Sequence, residues 1–167
     1  MLKNYFEESK YEHIKNMEDL VMKATVIVTD LFKNDIDKGG NSYLLHLLYV
    51  YSGVKSKEEK TIAMLHDILE EKEVSSEDLI EVGFSENIVN DVLILTKDKS
   101  ISYEEYIDNI IKNGSIESIR VKLADLDNNM DISRIKNPTE VDYDRINNKY
   151  IPAYEKLKKR LEEMEKW

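Results

Sequence analysis

Apolar positions recur along the chain at intervals of three and four, the period of an amphipathic helix, and no strand-like alternation appears. Between Tyr11 and Phe32 the positions Ile14, Met17, Leu20-Val21, Ala24, Val28 and Leu31-Phe32 predict one long helix over about 11–33, after a polar, fraying start that runs to about Lys10. Asn34 to Ser42 holds two of the five glycines and reads as a loop, with Asn41 or Ser42 capping the next helix. Helices are predicted at Tyr43 to Tyr51 and Lys57 to Glu71, joined by Ser52-Gly53-Val54-Lys55-Ser56. Ser75 with Asp78 starts a short helix ending near Gly83, and Ser85 opens another through Leu95. Ser102-x-x-Glu105 is a capping box for Tyr103 to Lys112, Gly114 ends that helix, and Ser115 begins the one that carries Asp125. Asn137-Pro138 breaks the chain, and Thr139-x-x-Asp142 starts a final helix over about 139–166 that Pro152 kinks near its middle. The expected fold is an all-α helical bundle forming a single domain over 1–167.

Three polar intrusions break this pattern. In Leu65-His66-Asp67-Ile68-Leu69-Glu70-Glu71 the residues Ile62, Leu65 and Leu69 share a core-facing spacing, while Glu70 falls one turn beyond both His66 and Asp67, so that one polar edge carries all three. His46 interrupts Tyr43-Leu44-Leu45-His46-Leu47-Leu48-Tyr49-Val50, and Asp125 interrupts Val121-Lys122-Leu123-Ala124-Asp125-Leu126. Imidazole and carboxylate at the border of a core cost several kcal/mol unless a charge satisfies them. A divalent metal does so, and two His with two Asp are ligands that suit Mn, Fe, Zn or Mg. Glu70 and Glu71 then sit beside it. Taken singly, His46 also fits a core histidine bonded to a carbonyl, Asp125 a buried hydrogen-bonded carboxylate, and Glu70-Glu71 a solvated helix end. His13 lies at an exposed helix start and reads as solvated.

Composition narrows the partners. A hydrophobic fraction of 41% with 8% aromatics suits a largely aliphatic core, and the absence of cysteine removes disulfides, thiolate catalysis and Cys-based zinc sites. The net charge of −10, with 24 Lys and Arg scattered among 34 acids, argues against a nucleic-acid partner. An anionic substrate therefore needs a local positive charge from the metal and a few lysines. Met1 to Glu8 lacks the apolar region of a signal peptide and no run reaches membrane-spanning length, so the cytoplasm is the expected compartment, with no membrane partner.

At these residues the chain resembles the HD superfamily of metal-dependent phosphohydrolases, and within it the small hydrolase domain of RelA/SpoT-type proteins. The resemblance runs from about Lys38 to Arg134. It rests on Lys38-Gly39-Gly40-Asn41-Ser42-Tyr43-Leu44-Leu45-His46, on Leu65 to Glu71, on Leu95-Thr96-Lys97, and on Lys122-Leu123-Ala124-Asp125-Leu126-Asp127-Asn128-Asn129-Met130. It implies a helical HD domain without a synthetase half, metal ligation by His46, His66, Asp67 and Asp125, and removal of the 3′-pyrophosphate of guanosine tetra- or pentaphosphate. The donor set suits Mn²⁺, Fe²⁺ or Zn²⁺, and the resemblance tips the choice to Mn²⁺. Glu70 and Glu71 match a catalytic Glu-Asp pair in position, although Glu71 reaches one methylene further than the usual Asp. Lys38, Tyr43 and Asn129 match residues that hold the nucleotide. Asp37 stands where the family carries an Arg that stacks on guanine, Gly39 replaces a Ser, and Phe32 takes a position often held by His.

Two other readings remain at this stage. One is a phosphomonoesterase for a 2′- or 5′-phosphate of another nucleotide, diverging at Asp37-Lys38-Gly39. The other is a regulatory module that binds metal or nucleotide without turnover. Oligomeric state is open.

Overall fold

In the computed structural model, which describes residues 2–166, the helices begin where short polar side chains satisfy free backbone N–H groups. Asp19 Oδ1 accepts from the N–H groups of Val21 and Met22 at 3.0 and 3.1 Å. That cap starts α2 at Leu20 and splits the helix expected over 11–33 into α1 (Glu8–Lys15) and α2 (Leu20–Phe32). The apolar period runs through the break because residues on both sides of it face one core. In place of the fraying start expected, Leu2–Tyr5 forms a 3-10 turn in which Leu2 is fully buried. Ser42 stands at the N-cap of α3 (Tyr43–Ser52), but neither it nor Asn41 makes the expected side-chain cap. The preceding loop is instead closed by an isolated bridge between Ile36 and Ser42, with Gly40 at φ +82 in the turn.

The central helix is α4 (Lys57–Leu65), which packs on α2, α3, α7 (Glu86–Leu95) and α9 (Ile116–Met130). Its capping box pairs Ser56 with Glu59, and Glu59 reaches on to take a hydrogen bond from Arg120 of α9 at 2.7 Å. Thr61 to His66 are buried without interruption, so this helix delivers its last residues into the interior. Each Ile or Leu enclosed there contributes about 1.5–3 kcal/mol.

Helix α4 stops at Leu65, earlier than expected. His66 Nδ1 lies 2.7 Å from the Ala63 carbonyl, the group that continued helix would pair with the N–H of Asp67. His66 and Asp67 form a turn, and the short α5 (Ile68–Glu71) follows with Ile68 fully buried and Leu69 only partly so. The one helix expected over this stretch is thereby divided in two.

After α6 (Ser76–Glu81) and α7, serine caps start α8 (Tyr103–Asn113) and α9. A 3-10 turn, Ile132–Arg134, leads to α10 (Glu140–Arg145). Where one final helix kinked at Pro152 is expected, a π turn, Ile146–Tyr150, precedes α11 (Ile151–Met164), and Pro152 falls in the first turn of α11. Pro152 has no N–H for the Asn148 carbonyl, and a widened turn accommodates that loss. α11 and the π turn pack along α9. Among the described residues there is no strand, and the architecture is an all-α bundle.

Candidate active site

Three parts of the bundle converge on one point. His46 comes from α3, His66 and Asp67 from the turn after α4, and Asp125 from α9. The ligand-type atoms of His46, His66 and Asp125 lie within 4.8 Å of one another. Asp67 joins them through Oδ2, 3.1 Å from His66 Nε2 and 3.5 Å from His46 Nε2, while Asp125 Oδ1 is 3.3 Å from His46 Nε2. His66 Nε2 is buried and makes no hydrogen bond.

The electrostatics ask for a cation here. Burial by itself pushes the His46 imidazolium down, yet the Asp125 and Asp67 carboxylates raise it to about 10. Burial likewise opposes ionisation of Asp67, and the neighbouring imidazoles hold it well below the usual carboxylate range. Two imidazole nitrogens, one of them the orphaned, buried Nε2 of His66, and two carboxylates form a donor set that fits a divalent ion.

Each group is held by a second partner. His66 is fixed through Ala63, and His46 Nδ1 lies 2.7 Å from Asn128 Oδ1. Tyr43 donates its hydroxyl to Asp67 Oδ2 at 2.6 Å, and Phe32 stacks on the Tyr43 ring at 5.1 Å. Phe32 thus backs the tyrosine that orients Asp67. Asp125 Oδ2 accepts from Lys122 at 2.8 Å and Oδ1 from Asn129 Nδ2 at 2.5 Å. The Asn129 amide is therefore turned onto Asp125.

The cluster opens into a cavity of about 460 Å³, lined by Lys38, Tyr43, His46, Asp67, Glu70, Glu71, Asp125 and Asn129, with the buried His66 outside its lining. Glu70 Oε2 accepts the N–H of Lys97 at 3.1 Å. Glu71 is pushed up by desolvation and by the Asp67 and Glu70 carboxylates. Lys38 sits at the exposed mouth, and His13 is exposed. Asp37 is turned aside by Arg134, which donates to its Oδ2 at 2.7 Å.

Arg145 and Lys149 line this cavity but carried no recognisable signal. Together with Lys97 and Lys122, which lie in blocks quoted from the sequence, they face it from four different elements or loops. Desolvation lowers the Lys149 ammonium, and so do the charges of Arg145, Lys38, Lys97 and Lys122. Its Nζ lies 4.2 Å over the ring of Tyr103, whose buried hydroxyl has no hydrogen-bond partner. Arg145 and Lys149 flank and belong to the π turn, and in sequence they look like the solvated face of a helix. The overall acidity of the chain hides this local basic group.

No protein-family model matches the chain, and no curated protein does. Among solved structures, that of a metazoan ortholog of SpoT that hydrolyzes ppGpp and plays a role in starvation responses superposes with a TM-score of 0.67. The match has 22% sequence identity and covers 87% of this chain and 86% of that one. This likeness establishes the fold: the chain is built on the same all-α frame as that SpoT ortholog.

Proposed function

We propose that the chain is a metal-dependent phosphohydrolase that removes the 3′-pyrophosphate of guanosine tetra- or pentaphosphate. One observation carries this reading: a single cavity holds a carboxylate and imidazole cluster that calls for a cation and, facing it, a group of cations that calls for an anion. The structural likeness to a ppGpp-hydrolyzing SpoT ortholog supports the choice of substrate.

His46, His66, Asp67 and Asp125 would hold the ion. When bound, Mn²⁺, Fe²⁺ or Zn²⁺ supplies Lewis-acid charge that acidifies water and offsets charge on phosphoryl oxygens. Tyr43 keeps the Asp67 carboxylate turned towards the two imidazoles. Lys97, Arg145 and Lys149 bind the phosphates and neutralise them in a desolvated setting, where each contact is strengthened. Water attacks the phosphorus bonded to the 3′ oxygen, that P–O bond breaks, and pyrophosphate leaves. Glu71, raised in affinity for a proton, takes one from the attacking water at its carboxylate. The 3′ oxygen receives a proton through the same acidic pair. Glu70, with one oxygen on the Lys97 N–H, holds the 96–98 loop against the site.

The test is pyrophosphate release from guanosine tetraphosphate by metal-stripped protein, with and without Mn²⁺. Mn²⁺-dependent release is expected. No release by protein that demonstrably binds the ion would discard this substrate and turn the search to other nucleotide phosphates.

A further inference from the structure

His46 and His66 are oriented by different means. The acceptor at His66 Nδ1 is the Ala63 carbonyl, which can only accept, so Nδ1 bears hydrogen and the lone pair of the neutral ring falls on Nε2. The acceptor at His46 Nδ1 is the side-chain amide of Asn128, 3% exposed. An amide rotated by half a turn presents NH₂ instead of oxygen, with little change of shape. Such a rotation would favour hydrogen on Nε2, the atom that faces Asp125 Oδ1 and Asp67 Oδ2.

Arg134 decides which way the amide points. A guanidinium only donates, and its Nη1 contacts both Asn128 Oδ1 and the Asn128 backbone carbonyl, the latter at 3.1 Å. The atom between Arg134 and His46 is therefore oxygen. Arg134 is itself held, since Nη2 donates to Asp37 Oδ2 at 2.7 Å while Asp37 Oδ1 accepts the N–H of Asn41 at 2.9 Å. The loop that brings Asp37 there lies directly on Arg134: a Cβ at Gly39 would stand 2.0 Å from the Arg134 carbonyl oxygen.

We propose that Arg134 is a positioning residue for His46, acting through the amide of Asn128 and anchored by Asp37, so that the loop at the cavity mouth sets the ligand geometry of a buried imidazole. This inference rests on the metal-site reading of His46. Asp37 then has a use that requires its negative charge and is separate from base recognition.

The test uses Zn²⁺, a diamagnetic probe ion, with calorimetry for affinity and nitrogen-resolved NMR of the zinc-loaded protein for the imidazole protons. Replacing Arg134 by Met is expected to weaken Zn²⁺ binding about tenfold or more, in the range found for partners of metal ligands. It should also shift or broaden away the His46 Nδ1–H signal, with that of His66 unchanged. The second variant adds Asn128→Asp to Arg134→Met. A carboxylate has no NH₂ face to present, so affinity should return towards wild type even without Arg134. A purely structural Arg134 would not be rescued in this way. Unchanged affinity and an unchanged His46 signal in Arg134→Met, or a double variant as weak as the single one, would overturn the proposal. Wild-type protein that takes up no ion would instead overturn the metal reading beneath it.

Discussion

Replacing Lys122 by Met tests whether Asp125 stands between two competing cations. Lys122 Nζ lies 2.8 Å from Asp125 Oδ2 and 5.0 Å over the Tyr106 ring, with the two side chains only 12% and 6% exposed. Removing one partner of an enclosed ion pair costs about 3–5 kcal/mol, because the other charge stays buried without compensation. The lower end applies in metal-free protein, since His46 still faces Asp125 Oδ1 at 3.3 Å. About 3 kcal/mol corresponds to a fall in Tm of roughly 6–12 °C for a chain of this size. A divalent ion on the Oδ1 side supplies charge to the same carboxylate, and loss of the neighbouring ammonium makes that carboxylate a stronger ligand. An ion at a hundred times its Kd stabilises the folded state by about 2.7 kcal/mol, and the tighter-binding variant gains more at equal concentration. At equal Mn²⁺ the gap closes by the difference in binding free energy, about 1.4 kcal/mol for a variant that binds tenfold tighter. Thermal melts of both proteins with and without the ion should therefore show it closing by about half. A gap that Mn²⁺ leaves unchanged would refute the reasoning, because ion and lysine would then not share Asp125.

The Asp67→Asn variant should keep its helical content by circular dichroism and lose turnover, and full activity would remove Asp67 from the metal site. Lys149→Met should raise KM for guanosine tetraphosphate about tenfold, the worth of one charge-assisted contact, with Mn²⁺ affinity measured by calorimetry unchanged. Glu59 is buried in the first turn of α4 and accepts from Lys55 N at 2.7 Å, Ser56 N at 2.9 Å and Arg120 at 2.7 Å. Burial opposes its charge, but Arg120 and these N–H groups hold its carboxyl below the ordinary value. Its stabilisation is therefore fully present above the unfolded-state pKa of about 4.3 and lost as pH falls through the lower folded value. Denaturant melts should find Glu59→Gln about 2 kcal/mol less stable at pH 7, with the difference shrinking below about pH 4; a pH-independent difference would contradict this.

Much of the bundle is legible in the residues because its causes are local. Helical period and the Ser75, Ser85, Ser102 and Ser115 caps depend on neighbours within about four positions, and each of these helices starts where its cap predicts. The chemistry of the site is legible for a related reason: His46, His66 and Asp125 are conspicuous as polar residues inside apolar runs, and burying them demands a compensating charge. Where side-chain bonds override the period, the reading failed. Asp19 divides the first long helix, and the His66 imidazole takes the Ala63 carbonyl and ends α4. Neither break changes the hydrophobic pattern, because the pieces on both sides still face one core.

The chain alone determined that this is an all-α protein with a few charged groups forced into its interior, since burial energy and helix periodicity act on residue type and spacing. Only the tertiary structure decided what those groups meet. Arg145 and Lys149 lie about a hundred residues from His46, and they face its cavity because α11 and the π turn pack along α9. Asp37 and Arg134, 97 positions apart, reach one another and Asn128 only when the mouth loop closes over the turn after α9. A side chain's polarity is written in the sequence, whereas its partner is set by which helices stack, and the function proposed here depends on those partners.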